Sequence, residues 1–142
     1  MDPYQTGLST SHFYLTRREV RGSLVAIMRG RLEQRGLLLI PQPSRAVRQG
    51  DVHEFISSAE PGIGPKSTVN SVSYVGFVEF SAAGVICVGD AVKVRGLTIG
   101  TIAGFDDTHM PNHMNIVIAQ DRLQSGAELG LKLEEPVSVG AA

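Results

Sequence analysis

The stretch GDAVKVRGLTIGTIAGF, residues 89–105, decides the fold. It predicts two strands joined at a glycine turn, because in the first strand Val92 and Val94 point to one side while charged side chains point to the other. The second strand contains Gly100 and Gly104, and glycines inside a strand mark bulges or sharp bends, as at the corner of a barrel. The stretch therefore predicts a bent antiparallel hairpin.

Further short strands are predicted on both sides of this hairpin, separated by turn residues at intervals of about ten residues. The clearest is Thr68–Phe80, in which apolar and polar residues alternate with the period of two of a half-buried strand. Together these elements predict an all-β fold, a small antiparallel β-barrel or sandwich of about seven or eight short strands. The other predicted strands are Val52–Ser57, Val85–Val88, His113–Ala119 and a closing strand around Leu129, Leu131 and Leu133, bounded by Gly126 and Pro136.

The segment 17–40 fits two structures. Its apolar residues recur at helical spacing, but a helix would contain Gly22 and Gly30, each of which costs about 1 kcal/mol relative to alanine. The alternative is a hairpin of two strands, Val20–Arg29 and Gly36–Ile40, joined by a charged turn. We favour the hairpin, because the rest of the chain is predicted to be β.

The composition excludes several classes of protein. Of the 142 residues, 42% are apolar and the formal charge is −1, which is not the composition of a disordered chain. Cys87 is the only cysteine, so no disulfide framework is present and a reducing compartment is indicated. No apolar run approaches the roughly 20 residues of a membrane span, and we expect a cytoplasmic protein with no membrane partner. Residues 1–16 are predicted to be a mobile N-terminal segment, followed by a single β-barrel-like domain over 17–142.

Charge is unevenly distributed along the chain. Residues 1–50 contain eight arginines and three acids, a balance of +5, whereas residues 51–142 contain five bases and eleven acids, a balance of −6. The arginines either pair with the acidic remainder, within the domain or across a homo-oligomer, or form a surface for an anionic partner. Nucleic acid is not favoured, because aromatic residues for base stacking are not interleaved with the arginines. Arginine suits bidentate binding of a carboxylate or phosphate.

The densest polar cluster is DDTHMPNHMN, residues 106–115, between two apolar strands. Its two histidines are four residues apart, which is a metal-ligand spacing on a helix, but Pro111 disfavours a helix there, so only a loop could bring the rings together. Three interpretations stay open: a metal site, a polar ligand pocket without metal, and a structural turn. The candidate ligand-binding residues are Asp106, Asp107, His109, Asn112 and His113, and the candidate metal ligands are His109, His113 and Asp107.

Two further residues carry reactive side chains. His53 follows Asp51 by two positions, so a strand would place both on one face, where the carboxylate could raise the basicity of the imidazole or orient it as a general base. An exposed surface histidine is the simpler interpretation. Cys87 lies in an apolar run and is interpreted as a small buried residue rather than a nucleophile. The glycine-rich phosphate loops, the GxSxG elbow and the HExxH motif are absent, which disfavours the large enzyme classes that they mark.

Residues 85–135 resemble the C-terminal part of the IIA component of the sorbitol (glucitol) phosphotransferase system. The resemblance rests on short motifs that are mostly led by glycine. They are a Val-Gly-Asp step into a strand at 88–90, an Ile-Gly-x-Ile-Ala-Gly step at 99–104, a loop ending in His113, an apolar strand at 115–119 and a closing Gly-x-x-Leu-x-Leu-x-x-Glu at 126–134.

This resemblance implies a β-barrel-like, bacterial and cytoplasmic protein. In the sorbitol component a phosphohistidine is expected ahead of the Val-Gly-Asp step, but this chain has no histidine between His53 and His109, so no catalytic residue carries over. The whole chain, most distinctively the string GFDDTHMPNH at 104–113, also resembles a small bacterial family of unknown function.

The sequence therefore predicts a small-molecule binding module that holds a polar or anionic metabolite with the loop 106–115. One alternative is a metal-assisted enzyme, in which the same loop binds a divalent metal ion that activates water. The other is a homo-oligomeric interaction protein without catalysis, in which the basic and acidic regions meet across subunits. The absence of enzyme signatures favours binding over catalysis.

Overall fold

The computed structural model describes residues 13–142, which form an all-β structure as predicted. Residues 1–12, and with them most of the predicted segment 1–16, lie outside the described residues. No helix in the described part is long and apolar enough to cross a membrane. The strands, numbered in chain order, are β1 (Val20–Ile27), β2 (Arg31–Leu32), β3 (Leu37–Leu38), β4 (Ser44–Val47), β5 (Val52–Ser58), β6 (Thr68–Val69), β7 (Val72–Phe80), β8 (Gly84–Cys87), β9 (Ala91–Val94), β10 (Leu97–Asp106), β11 (Asn115–Ala119) and β12 (Pro136–Gly140).

Seven of these strands close into a ring. The order around the ring is β1, β12, β9, β10, β11, β5 and β7, and β7 pairs back to β1. With the two-residue β2, which also pairs with β7, this sheet has eight of the twelve strands that the described residues form, whereas about seven or eight were predicted in all. Neighbouring strands of this sheet are antiparallel as predicted, except that β11 and β5 run parallel. A parallel pair needs a long crossover connection, and the chain from β5 to β11 provides one.

The interior of the ring is the main hydrophobic core. Successive residues of a strand point alternately inward and outward, as on β5, where Phe55 packs inside the ring and Ile56 packs outside it. On β11, Val117 likewise packs outside, between the inward-facing Ile116 and Ile118. All seven strands contribute buried side chains to this inner core, so closure of the ring and burial of the core depend on each other.

Two small sheets complete the fold. β3 and β6 pair over the outside of the ring, where Leu37 and Val69 share a buried cluster with the outward-facing Ile56. β4 and β8 pair elsewhere on the ring, and their Val47 and Ile86 enter the inner core. The outer layer over part of the ring gives the sandwich-like packing that the predicted fold class includes.

Several predictions of local structure are confirmed. The bends at Gly100 and Gly104 are present, because the register of β10 shifts between Thr98 and Gly100 against β9, and between Ile102 and Gly104 against β11. Cys87 is buried, and burial raises the pKa of its thiol, which makes it a poor nucleophile. The predicted strands 52–57, 68–80, 85–88 and 113–119 correspond to β5, to β6 with β7, to β8 and to β11.

The predicted hairpin of Val20–Arg29 and Gly36–Ile40 does not form. The first segment contains a strand, but β1 pairs with β7 and β12, and Leu37–Leu38 pairs with β6 on the outside of the ring. The backbones of β1 and β7 approach closely because Gly76 has no side chain: a Cβ there would collide with the carbonyl oxygen of Ala26. Long-range pairing therefore replaces the local pairing that was expected.

The predicted closing strand at Leu129–Leu133 is also wrong. These residues lie in turns and irregular chain, with Leu131 buried in the inner core and Leu133 59% exposed. The closing strand is β12, which begins at Pro136 and places two valines in the inner core. The alternation was real, but it belongs to successive turns rather than to a pleated strand.

Two arginines of the basic region pair with acids of the remainder. The Nη1 and Nη2 atoms of Arg17 donate to the two carboxylate oxygens of Asp90 at 2.9 and 2.6 Å, and Nη2 of Arg31 donates to Glu128 at 2.9 Å. The first pair holds the chain before β1 against the start of β9. The predicted contact between basic and acidic regions is thus present within one chain, and contact across a homo-oligomer stays a prediction.

Candidate functional site

The polar stretch singled out in the sequence forms a tight turn between β10 and β11. Asp106 ends β10 and Asn115 begins β11. The turn is closed by its own backbone, since the N–H of Met110 donates to the carbonyl oxygen of Asp107 at 3.0 Å. Its side chains reach three surfaces: the outer face of the ring, a cleft lined by arginines, and a cleft beside β3.

On the outer face, three polar side chains and one aromatic side chain form a row across four adjacent strands, which we call the polar row. The amide nitrogen of Asn115 donates to Oδ2 of Asp106 at 2.9 Å, and the hydroxyl of Thr108 donates to Oδ1 at 2.7 Å, so this buried carboxylate is satisfied. The Oδ1 atom of Asn115 is buried and has no partner among the described residues. The members of the row face one another in the registers of β10, β11, β5 and β7; they are Asp106, Asn115, Glu54 and Phe77.

Glu54 contacts His113 of the loop in this row. Its Oε1 lies 3.2 Å from Nε2 of His113, whose ring stacks on that of His109 with centroids 5.0 Å apart. Phe77 meets the His113 ring edge-on at the same centroid distance, 5.0 Å. Glu54 is 6% exposed, and burial raises the pKa of its carboxyl although His113 acts in the opposite direction. The two histidine rings therefore stack together, and His113 contacts a carboxyl group that was not among the predicted site residues.

A cleft of about 400 Å³ opens between β4, the start of β5 and the loop. We call it the arginine cleft, because Arg45 and Arg48 line it. Within residues 13–142 neither guanidinium group forms a salt bridge. The remaining polar side chains of the cleft are Asp51, His53 and Asn112, and its apolar walls include Met110, Pro111 and Met114.

His53 is buried in the arginine cleft, so its interpretation as a surface histidine is wrong. Its Nδ1 accepts the backbone N–H of Met114 at 2.9 Å, which places the proton of the neutral ring on Nε2. That Nε2 lies 3.5 Å from Oδ2 of Asp51. Burial lowers the pKa of the imidazole and outweighs the opposite effect of Asp51, so the expected rise in basicity does not occur. His53 is a neutral hydrogen-bond donor.

Another cleft, of about 410 Å³, lies beside β3 and is lined by 38–41, Lys66 and Asp107 among others. Asp107 faces this cleft, whereas His113 contacts Glu54 on the outer face and His109 stacks on His113. In the part of the chain that the structure describes, no group of three or more His, Cys, Asp or Glu side chains could hold a metal ion. Metal ligation by His109, His113 and Asp107 stays a prediction from the sequence.

Part of this site was not predicted from the sequence. The sequence does contain a signal for Glu54, since an acidic residue inside a predicted apolar strand is rare unless it is paired. Arg45 and Arg48 were counted in the basic region, but nothing in the sequence places β4 beside the distant loop. Of the five candidate ligand-binding residues, Asn112 alone lines the arginine cleft, while Asp106 lies in the polar row and lines the cleft beside β3.

Comparison with known proteins places the chain in a family. Comparisons with curated proteins and with solved structures give no match. The model of DUF6917, described as a family of unknown function, matches residues 14–140, a range that includes every described strand and both clefts. The predicted resemblance to a family of unknown function is confirmed, while the likeness to the sorbitol component and the bacterial origin stay predictions. The chain belongs to DUF6917, a family of unknown function.

Proposed function

We propose that the protein binds a small anionic metabolite in the arginine cleft. The observation that carries this proposal is that, in the described chain, Arg45 and Arg48 line one cleft without forming a salt bridge. Guanidinium groups bind carboxylates and phosphates through pairs of parallel hydrogen bonds. Two of them in one cleft supply both the charge and the donors that an anionic group needs.

The other arginines that reach the acidic part of the chain behave differently. Arg17 and Arg31 each donate to a carboxylate, which leaves their charge compensated. The arginine cleft also receives Asn112 from the loop 106–115, and this supports the expectation that the loop contributes to a ligand site. The loop would close one side of the cleft while β4 supplies the positive charge.

Titration of inorganic phosphate into ¹⁵N-labelled protein, followed by amide chemical shifts, tests the proposal. We expect saturable shifts at the amides of Arg48 and Asn112, because both line the cleft. In the double variant Arg45→Gln/Arg48→Gln the affinity should fall by about tenfold or more, since a hydrogen bond to a charged group contributes about 1.5–3 kcal/mol.

The matched control is Arg18→Gln/Arg29→Gln, which removes the same charge at two exposed positions outside the cleft. This variant should keep the affinity for phosphate to within about twofold, because screening weakens the effect of distant surface charges. The absence of saturable shifts in the wild-type protein, or an equal loss in both double variants, would contradict the proposal.

A further inference from the structure

The arginine cleft contains a carboxylate as well as two arginines. Oδ2 of Asp51 accepts the backbone N–H of Arg48 at 2.8 Å, in the turn between β4 and β5, and its side chain is 32% exposed. A carboxylate repels an anion that binds beside it. One carboxylate oxygen of Asp51 closes the turn that carries Arg48, and the other, which has no partner among the described residues, is free to accept a hydrogen bond, which suits a ligand with a second, hydrogen-bond-donating part.

His53 and Asn112 add neutral polar groups to the same cleft. The Nε2–H of His53 lies 3.5 Å from Asp51, which is longer than an ordinary hydrogen bond, so both groups have capacity to bond to a ligand. The amide of Asn112 offers a donor and an acceptor. An alcohol also donates and accepts, so one hydroxyl beside Asp51 and His53 would donate to the carboxylate and accept the Nε2–H of the imidazole.

We infer that the ligand of the arginine cleft is a hydroxylated acid, whose carboxylate or phosphate lies between Arg45 and Arg48 and whose hydroxyl groups bond to the other polar side chains of the cleft. This inference rests on the proposed anion binding and adds to it the chemical class of the ligand. The cleft, at about 400 Å³, lies at the small end of the range for ligand sites, which suits a compact molecule.

Binding of gluconate, hexanoate and mannitol tests the inference, because they share a carbon skeleton and differ only in the carboxylate and the hydroxyl groups. We expect gluconate to bind about tenfold more tightly than either of the others, since only gluconate uses both halves of the cleft. Glycerol 3-phosphate against inorganic phosphate gives the same comparison for a phosphate. Comparing gluconate with glycerol 3-phosphate also shows whether the arginines prefer a carboxylate or a phosphate.

The variant Asp51→Asn gives a second readout. It removes the charge and keeps an oxygen that can accept the N–H of Arg48. We expect the affinity for gluconate to fall by about tenfold, because a hydroxyl group of the ligand loses its charged acceptor. The affinity for inorganic phosphate should rise, because the repulsion between Asp51 and the anion is removed. Should this variant not fold, Asn112→Ala at an exposed position provides the same selective loss of gluconate.

Three outcomes separate this inference from the proposed function. Tight binding of gluconate that Asp51→Asn selectively weakens supports both. If gluconate and hexanoate bind equally, and Asp51→Asn raises the affinity for both, the inference of a hydroxylated ligand is overturned and the proposed anion binding stands. If neither phosphate nor any of the acids binds the wild-type protein, the proposed function and this inference fall together.

Discussion

His53 and Glu54 are neighbours in the chain, yet they lie on opposite faces of β5 and their pKa values are shifted in opposite directions. His53 lies near Phe80, with ring centroids 6.1 Å apart, while Glu54 points outward to His113. Burial is the largest cause in both cases. It lowers the pKa of the imidazole and raises that of the carboxyl, because each time it disfavours the charged form.

Replacing Glu54 by glutamine should stabilise the protein at neutral pH. The folded-state pKa of Glu54 is raised above its unfolded value of 4.5. The protonated carboxyl therefore contributes stability that is fully present below pH 4.5 and is lost as the pH rises through the folded-state pKa. Glutamine is neutral throughout. Urea unfolding should show a gain of about 1 kcal/mol near pH 7 and a smaller gain near pH 4.

Glu79→Gln is the control for this substitution, since Glu79 is exposed on the neighbouring strand β7. It should change the free energy of unfolding by less than about 0.5 kcal/mol at both pH values. A lower urea midpoint for Glu54→Gln than for the wild type near pH 7 would mean that the contact with His113 outweighs the cost of burial.

Individual residues of the site differ in how far the sequence predicts them. The string 106–115 marks a polar turn by itself, but the sequence leaves open whether His109 and His113 come together, because Pro111 removes the helical spacing that would align them. Glu54 could be suspected but not placed, because its position opposite Asn115 is set by a parallel pairing of strands that are far apart in the chain. Local pattern predicts turns, and distant register decides which side chains meet.

Among the strands, β10 is the one whose shape the sequence predicts best. Its two internal glycines coincide with two register shifts, one against each neighbouring strand. These shifts bend the strand so that β9, β10 and β11 follow the curve of the ring. The glycines could be interpreted locally because a missing side chain inside a strand usually marks a bulge, a bend or a close approach of two backbones.

Alanine at Gly100 should destabilise the protein by about 1–3 kcal/mol, the range for overpacking. A Cβ there would lie 2.5 Å from the carbonyl oxygen of Ala119 and would collide with the side chain of Ile118, so β10 and β11 would have to separate. Chemical unfolding measures the loss. A Cβ at Gly64 would have no described atom within 4 Å, and Gly64→Ala should cost less than about 0.5 kcal/mol. Equal effects at the two positions would contradict the steric argument.

The wrong prediction at Leu129–Leu133 has a physical cause. Alternating leucines also arise when successive turns bury one side chain and expose the next, as with Leu131 and Leu133. Pro136 was expected to follow the end of a strand, but proline is compatible with the first residue of one, where a missing N–H costs least. Here the carbonyl oxygen of Pro136 accepts the N–H of Arg95 at 3.0 Å.

For the whole molecule, closure of the ring is the organising feature. The two ends of the described chain meet in it, because β12 lies between β1 and β9. Closure leaves few free strand edges, and such edges are the usual template for aggregation. The ring also positions both faces of β5, with the arginine cleft on the side of His53 and the polar row on the side of Glu54.

Removal of β12 should therefore abolish cooperative folding. In a chain ending at Glu135, β1 and β9 would each lose their pairing with β12. The inner core would also lose Val137 and Val139, whose burial contributes about 1.5–3 kcal/mol each, against a total stability of about 5–15 kcal/mol. Circular dichroism should show a single thermal transition for the full chain and none for the shortened one, which should aggregate. A chain ending at Gly140 keeps β12 and should unfold like the full chain. If the chain ending at Glu135 kept a cooperative transition, the closed ring would not be the unit that folds.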